Sequence, residues 1–350
     1  MNTNLPEQFK NAGHEFLASP GRSTLQEILA PTDFSNESRV GVAYAFNLAE
    51  KLGATVALLH VIEPLPVMEG MEAFPLLPTR PEITRQARIQ LERIADQESK
   101  KDSRLTTIVR TAKPFYGIIT AAAERKADLI VMATHGYTGV NHVLLGSTAE
   151  RVVRHAPCPV LTVRVRAAGS SAATPHLGLT RILVPIDFSD TSKLALPWAA
   201  FLAEAFEAEI VLLHVTEKYP IDYLLGRELM NEAITPLMKA AEVALQRIAD
   251  NVHSSTGIKT SVVIRDGVPH KEICLAAQEF HADLIALTTH GYTGLKHLWL
   301  GSTAERVVRD AQCPVLALRE VSKSLGRTVP EAFAAQHANT ENQSMAQTPR

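Results

Sequence analysis

The sequence predicts an α/β protein made of two doubly wound, five-stranded parallel-sheet domains, and three observations predict it. The chain says nearly the same thing twice. Leu145-Gly146-Ser147-Thr148-Ala149-Glu150-Arg151-Val152-Val153-Arg154 returns letter for letter as Leu300 to Arg309, Thr134 to Gly139 returns as Thr289 to Gly294, and Pro31-Thr32-Asp33-Phe34-Ser35 is echoed by Pro185-Ile186-Asp187-Phe188-Ser189. The offset is 154 residues at Asp33 and Asp187 and 155 at Gly146 and Gly301, a period that marks a duplicated domain rather than a short solenoid repeat. Within each half, short runs that are apolar throughout alternate with segments of helical periodicity. Such runs are the pattern of parallel strands covered on both faces.

In the first half, Ile28-Leu29-Ala30 reads as a buried strand ending at Pro31. Ser35 to Leu52 carries apolar residues at helical spacing (Val40, Ala43, Tyr44, Phe46, Leu48) and stops at Gly53, a C-terminal cap. Thr55 to Val61 is a strand, and residues 62–81, with five prolines, form an irregular excursion. Glu82 to about Lys101 is helical, Leu105 to Arg110 a strand, Pro114 to Lys126 a helix, and Asp128 to Met132 a strand. A glycine-bearing loop follows, then a helix from Ser147 and a last strand at Val160 to Val163.

The second half repeats that order. It has strands at Ile182–Val184, Glu209–Val215, Thr260–Ile264, Asp283–Leu287 and Val315–Leu318. Between them stand one helix running to about Glu207, an insertion at 216–239, a helix ending near Asp250, and helices from Pro269 and Ser302. The domains are expected at 23–166 and 178–320, with residues 165–180 a flexible linker by composition. Residues 1–22 are expected to be a loose arm and 325–350 disordered.

Composition narrows the function. Hydrophobic residues are 46% and charged residues 21% of the 350, so each half can bury a core. A formal net charge of −2 gives no electrostatic footprint for nucleic acid. No signal peptide and no membrane-spanning run is legible, so a cytoplasmic protein with no membrane partner is expected. Three cysteines cannot pair fully, and buried thiols are the expectation for Cys158 and Cys313.

In open parallel sheets, ligands bind beyond the carboxyl ends of the strands where the winding reverses. Asp33 follows the first strand. The loop Ala133-Thr134-His135-Gly136-Tyr137-Thr138-Gly139 follows the fourth and leads to Gly146-Ser147 at a helix start. Glycines let backbone N–H groups face a ligand, and the helix start adds its unpaired N–H groups and positive dipole end. Ser147 and Thr148 add hydroxyls. An opposing aspartate can accept from a ribose hydroxyl or an adenine amino group, so the set suits a nucleoside triphosphate if the first and fourth strands are neighbours.

The residues leave bland readings standing beside this one. Ser147-x-x-Glu150 is also a capping box, and Glu150 would put a negative charge near any phosphate. Asp33 alone reads better as a helix cap. His60 and His214 read as satisfied core histidines, Trp198 and Trp299 as packing, and Asp128 and Asp283 as turn residues at the opposite end. No His, Cys or carboxylate spacing suggests a structural metal. No nucleophile elbow, lysine-bearing phosphate loop or carboxylate pair indicates catalysis, so a binding protein is expected rather than an enzyme.

At these residues the chain resembles the universal stress protein family, specifically its tandem-domain members, over about 23–166 and 178–320. The likeness rests on Pro31-Thr32-Asp33-Phe34-Ser35, His60-Val61, Thr134 to Gly139, Leu145-Gly146-Ser147 and Cys158-Pro159-Val160, each with its second-half equivalent. The resemblance implies an adenine nucleotide alpha-hydrolase-like fold. It also implies the loop pattern Gly-x2-Gly-x9-Gly-Ser/Thr of ATP-binding members. Here Gly136, Gly146 and Ser147 fit that pattern, as do Gly291, Gly301 and Ser302, but the first glycine is Ala133 in one half and Thr288 in the other. Threonine is β-branched and ill suited to a glycine-like backbone, which disfavours the second half.

By the same resemblance Asp33 and Asp187 would touch the ribose or adenine, and Val61 and Val215 would line the base. The backbones at the matched glycines and serines would hold phosphates. Pro31 and Thr32, Pro185 and Ile186, and Thr148 and Thr303 adjoin these positions and complete the candidate set. The family's last strand commonly pairs with a partner domain, so Val160–Val163 and Val315–Leu318 are expected to pair within the chain as a pseudo-dimer, with a homodimer as a further possibility. The implied function is a stress-response protein that binds ATP, with Mg2+ as its expected companion, in at least its first half. A nucleotide-free adaptor acting through its insertions and a slow ATPase are the alternatives.

Overall fold

Ten strands hydrogen-bond into a single sheet in the computed structural model, which describes residues 25–64, 80–98, 104–134, 146–164, 178–217, 227–289 and 301–319. The first lobe runs β1 (Glu27–Pro31), α1 (Asn36–Leu52), β2 (Thr55–Ile62), α2 (Arg80–Glu98), β3 (Leu105–Thr111), α3 (Pro114–Arg125), β4 (Leu129–Ala133), α4 (Ser147–His155) and β5 (Val160–Val163). The second runs β6 (Arg181–Pro185), α5 (Asp190–Lys193), α6 (Ala195–Phe206), β7 (Glu209–Glu217), α7 (Arg227–Thr256), β8 (Thr260–Gly267), α8 (Pro269–Glu279), β9 (Leu284–Thr288), α9 (Ser302–Asp310) and β10 (Val315–Leu318).

The strand order is β3-β2-β1-β4-β5-β10-β9-β6-β7-β8. All neighbours within a lobe are parallel, and β5 meets β10 antiparallel with Leu161 opposite Leu316. The two lobes are therefore joined edge to edge by their last strands, as the resemblance implies. At this seam the buried Thr162 hydroxyl donates to the Val315 carbonyl at 3.2 Å.

Alternation along the strands divides the core. Ile28 and Ala30, with Val56 and Leu58, face a layer built on α1, α2, α6 and α7, while Leu29, Ala57 and Leu59 face α3, α4, α8 and α9. Both layers run across the seam. The central strands β4, β5 and β10 are buried at every position, whereas β3 and β8, at the outer edges, are half exposed. That gradient explains why the central strands read as unbroken apolar runs.

Four elements depart from expectation. The helix expected to run to Glu207 is two helices, α5 and α6, broken at Leu194. Pro197 is the cause. It has no N–H for the Lys193 carbonyl, and its ring collides with that carbonyl in a continuous helix, whereas the equivalent Ala43 leaves α1 unbroken. The insertion expected at 216–239 is largely regular: β7 reaches Glu217 and α7 begins at Arg227. The linker expected at 165–180 is anchored at its end, because Leu179 is buried. Cys158 and Cys313 are half-buried rather than buried, and burial pushes the Cys158 thiol up to about 12. The arm at 1–22, most of the excursion at 62–81 and the tail at 325–350 lie outside the described residues.

Candidate functional site

Strands β1 and β4 are neighbours, the condition on which the crevice depended. They pair only at Ile28–Leu129 and Leu29–Ile130 and then part. The tail of β1 stays with β2, through Pro31–Leu59 and the Thr32 amide on the Leu59 carbonyl at 2.8 Å. The tail of β4 stays with β5, through Ala133–Val163 and the Thr134 amide on the Val163 carbonyl at 3.0 Å. A cleft therefore opens at the point where the winding reverses, as it should in a doubly wound sheet. The second lobe repeats it: β6 and β9 pair only at Ile182–Leu284 and Leu183–Ile285, with Ile186 on Leu213 and Thr289 on Leu318, both at 2.8 Å.

One wall of the cleft is the turn after β1. The Asp33 carboxylate accepts from the Ser35 amide at 3.0 Å and from its hydroxyl, and Ser35 caps α1 by accepting from the Ser38 amide at 3.1 Å. Asp33 itself is exposed, two residues ahead of the cap, so it scaffolds the turn without being the cap. Phe34 is thereby held at φ 69°, a conformation that costs an L-residue about 1–2 kcal/mol. Its ring stacks on His60 at 4.1 Å, and its amide donates to the Thr32 hydroxyl at 3.0 Å. His60 Nδ1 bonds the Thr32 carbonyl at 2.8 Å; a carbonyl only accepts, so Nδ1 carries the proton. His60 is thus a satisfied histidine, and burial lowers its pKa. His214 repeats the bond to Ile186 at 2.8 Å.

The other wall is the return from the glycine loop. The Gly146 amide donates to the Thr134 carbonyl at 2.9 Å, which fixes the start of α4 at the carboxyl end of β4. Gly146 is the N-cap and Ser147 the first helical residue, so the capping-box reading of Ser147 is overturned. A glycine cap has no side chain to spend on the first-turn N–H groups, which is the arrangement an anion needs. Glu150 turns back to Arg154, Nη2 to Oε1 at 2.7 Å, which offsets the charge counted against phosphate. In the second lobe Gly301 caps α9 and binds the Thr289 carbonyl at 2.7 Å.

The remaining predicted residues fall around these walls. Pro31 and Thr32 are buried at the end of β1, and Ala133 at the end of β4. Thr148 and Thr303 are half exposed in the first helical turns, and Ser147 and Ser302 are exposed. Pro185, Asp187 and Thr288 are half-buried and Ile186 is buried. Val61 lies one residue before the end of β2, on the α3 face, where a β-carbon on Gly117 would meet its methyls at 2.7 and 2.9 Å; Val215 is its half-buried equivalent. Gly136 and Gly291 lie outside the described residues. Among the described residues no group of three or more metal-ligating side chains is gathered, and no helix is long and apolar enough to cross a membrane.

The sequence model of the Universal stress protein family matches residues 24–164 and again 178–319. The chain belongs to the universal stress protein family. It is 36% identical over 144 residues to universal stress protein MJ0531 of Methanocaldococcus jannaschii, covering 41% of this chain and 84% of that protein. It is 26% identical over 294 residues to a universal stress protein of Mycolicibacterium smegmatis, covering 83% of this chain and 96% of that one, so the likeness extends over both lobes. The crystal structure of a universal stress protein from Archaeoglobus fulgidus DSM 4304 shares the fold, with a TM-score of 0.60 and 24% identity over 85% of this chain and 98% of that one.

Sequence reasoning missed the anchors of this universal stress protein's crevices. The Thr134 and Thr289 carbonyls, which seat the two helices, were visible only as repeated letters. The left-handed Phe34 and Phe188 carry no sequence signal, because phenylalanine does not favour that conformation. Asp128 and Asp283 do stand at the far end, where they accept from the amides of Gln26 and Glu27 and of Thr180 and Arg181, clamping the starts of neighbouring strands.

Proposed function

We propose that the protein is a cytoplasmic stress-response protein that binds ATP in the cleft of its first lobe, and uses occupancy as a signal rather than turning the nucleotide over. The observation that carries this is the divergence of β1 and β4 with Asp33 on one side and the glycine-capped start of α4 on the other. The fit is chemical. Amides of the first turn and the hydroxyls of Ser147 and Thr148 would hold phosphate oxygens, and Asp33 would accept from a ribose or adenine donor. Val61 would give the base an apolar edge. Mg2+ would arrive with the triphosphate, held by phosphates and water more than by the Asp33 carboxylate.

The second lobe offers the same backbone with Ile186 for Thr32 and Thr288 for Ala133, so we assign it the weaker nucleotide site. The domains are assigned to 23–166 and 178–320. The outer edges β3 and β8 leave room for a homodimer beyond the internal pairing.

Titration calorimetry of the full chain with ATP tests the proposal, with a single-phosphate adenine nucleotide as comparator. Heat and a melting shift are expected with ATP, and the tighter binding event should be lost in the double variant Gly136→Val, Gly146→Val, where a side chain blocks close backbone approach, leaving only the weaker site of the second lobe. An unchanged response in that variant, or none in the wild type, would overturn it.

A further inference from the structure

The helices that carry the two proposed phosphate seats are each held at their far end by the opposite lobe. Arg164, just after β5, sends Nη1 to the carbonyls of Arg309 and Ala311 at 3.1 and 3.2 Å, where α9 ends. Arg319, its equivalent 155 residues on, sends Nη1 to the Ala156 carbonyl at 3.5 Å, where α4 ends. The device is built twice, and each guanidinium meets the negative end of a helix whose positive end faces a crevice. The helices also touch directly. Arg154 Nη2, already on Glu150, lies 3.7 Å from Glu305 Oε2, so one arginine serves the first-turn carboxylates of both lobes. Among the described residues no reciprocal contact is made; Arg309 turns instead to Asp310, Nε to Oδ1 at 3.0 Å, where the first lobe has His155.

We infer that Arg164 and Arg319 are positioning residues in trans: each sets the helix that presents the other lobe's anion seat, so neither crevice is complete without its neighbour lobe. This rests on the nucleotide reading of the crevices. Rigid α-helices transmit a displacement at one end to the other, and a seat of first-turn amides depends on their aim. The two bonds made by Arg164 are the shorter ones, so its effect on the second lobe should be the larger.

The test uses the full chain and measures each lobe alone. ATP affinity of the second lobe is read in a Gly146→Val background and that of the first in Gly301→Val. Arg164→Met is expected to weaken the second lobe by about fivefold or more while leaving the first unchanged, and Arg319→Met to do the reverse. Arg164→Lys, which keeps a charged donor, should restore part of the loss. Hydrogen exchange without nucleotide gives a second readout: Arg164→Met should deprotect amides at the end of α9 and spare α4. An uncrossed pattern in affinity, or exchange that rises equally in both helices, overturns the inference. Absence of ATP binding in the wild type defeats the nucleotide reading instead, and crossed exchange would then still mark the trans hold as real.

Discussion

Gly301 donates its amide to the carbonyl of Thr289 at 2.7 Å, and a β-carbon added to Gly301 would sit 3.0 Å from that same oxygen. The bond that seats α9 on the sheet thus leaves almost no room for a side chain. Gly301→Ala should be accommodated by a small shift. Gly301→Val has to push the start of α9 away from β9 and should cost about 1–3 kcal/mol, read from urea unfolding. An unperturbed midpoint in Gly301→Val would mean that the seat is looser than this geometry.

Asp33 allows its structural and its binding roles to be separated. Its Oδ1 accepts from the Ser35 amide and hydroxyl, and an asparagine carbonyl can accept both bonds. Asp33→Asn should therefore unfold within about 0.5 kcal/mol of wild type, whereas Asp33→Ala, which takes the acceptor from both donors of the buried Ser35, should lose about 1–3 kcal/mol. If the carboxylate also serves a ligand, nucleotide affinity falls in both variants. Affinity that tracks stability, intact in asparagine and lost in alanine, would reduce Asp33 to a scaffold.

Much of this architecture was legible because duplication supplies its own control. The apolar runs of β4 and β5 fix element type by local physics, and their recurrence in the second half removed ambiguity; the glycine stop at Gly53 marks its helix end only once, since Glu207 stands at the equivalent position. Adjacency of β1 and β4 could not be read, since pairing depends on contacts between segments about a hundred residues apart. Register was equally hidden, and so was the splay that opens the cleft. The break at Leu194 was legible in principle, from Pro197 alone. Gly41 shows the opposite case: a β-carbon there would stand 2.8 Å from the Ala133 amide nitrogen, so α1 rests directly on the end of β4, and nothing local to Gly41 announces it. The trans contacts of Arg164 and Arg319 belong to the same class, since they exist only once the two lobes have met.

Among the described residues, four histidines tie stability to pH. Burial lowers the pKa of His60, His155, His214 and His270, with nearby arginines adding to the effect at His155 and His270. Each is then neutral in the folded chain at a pH where the unfolded chain, with pKa near 6.5, already binds a proton. The unfolded state binds more protons, so stability rises with pH up to about 6.5 and is lost as pH falls below it. Urea midpoints measured from about pH 7.5 down to pH 5 should decline. His60→Asn, which retains a donor for the Thr32 carbonyl, should flatten part of that decline. A flat profile in the wild type would contradict the burial of these rings.

Two equivalent helix ends offer the last prediction, because the chain builds one C-cap with two residue types. Gly53 ends α1 at φ 69° and Glu207 ends α6 at φ 57°, 154 residues apart. The cap bonds match: Gly53 donates to Ala49 and Glu207 to Ala203, and the next amides, of Ala54 and Ala208, reach the same carbonyls at 2.9 Å. Glycine bears no penalty in the left-handed region, while glutamate pays for its β-carbon. Glycine also gives up more freedom on folding, which takes back part of the gain. Glu207→Gly should therefore stabilise the protein by about 0.5–1 kcal/mol, and Gly53→Glu should destabilise it by a similar amount. Both are far from the crevices, at the opposite ends of their helices, so nucleotide affinity should stay fixed in both. Loss of stability in Glu207→Gly would show that the glutamate side chain supplies a contact that outweighs the backbone cost.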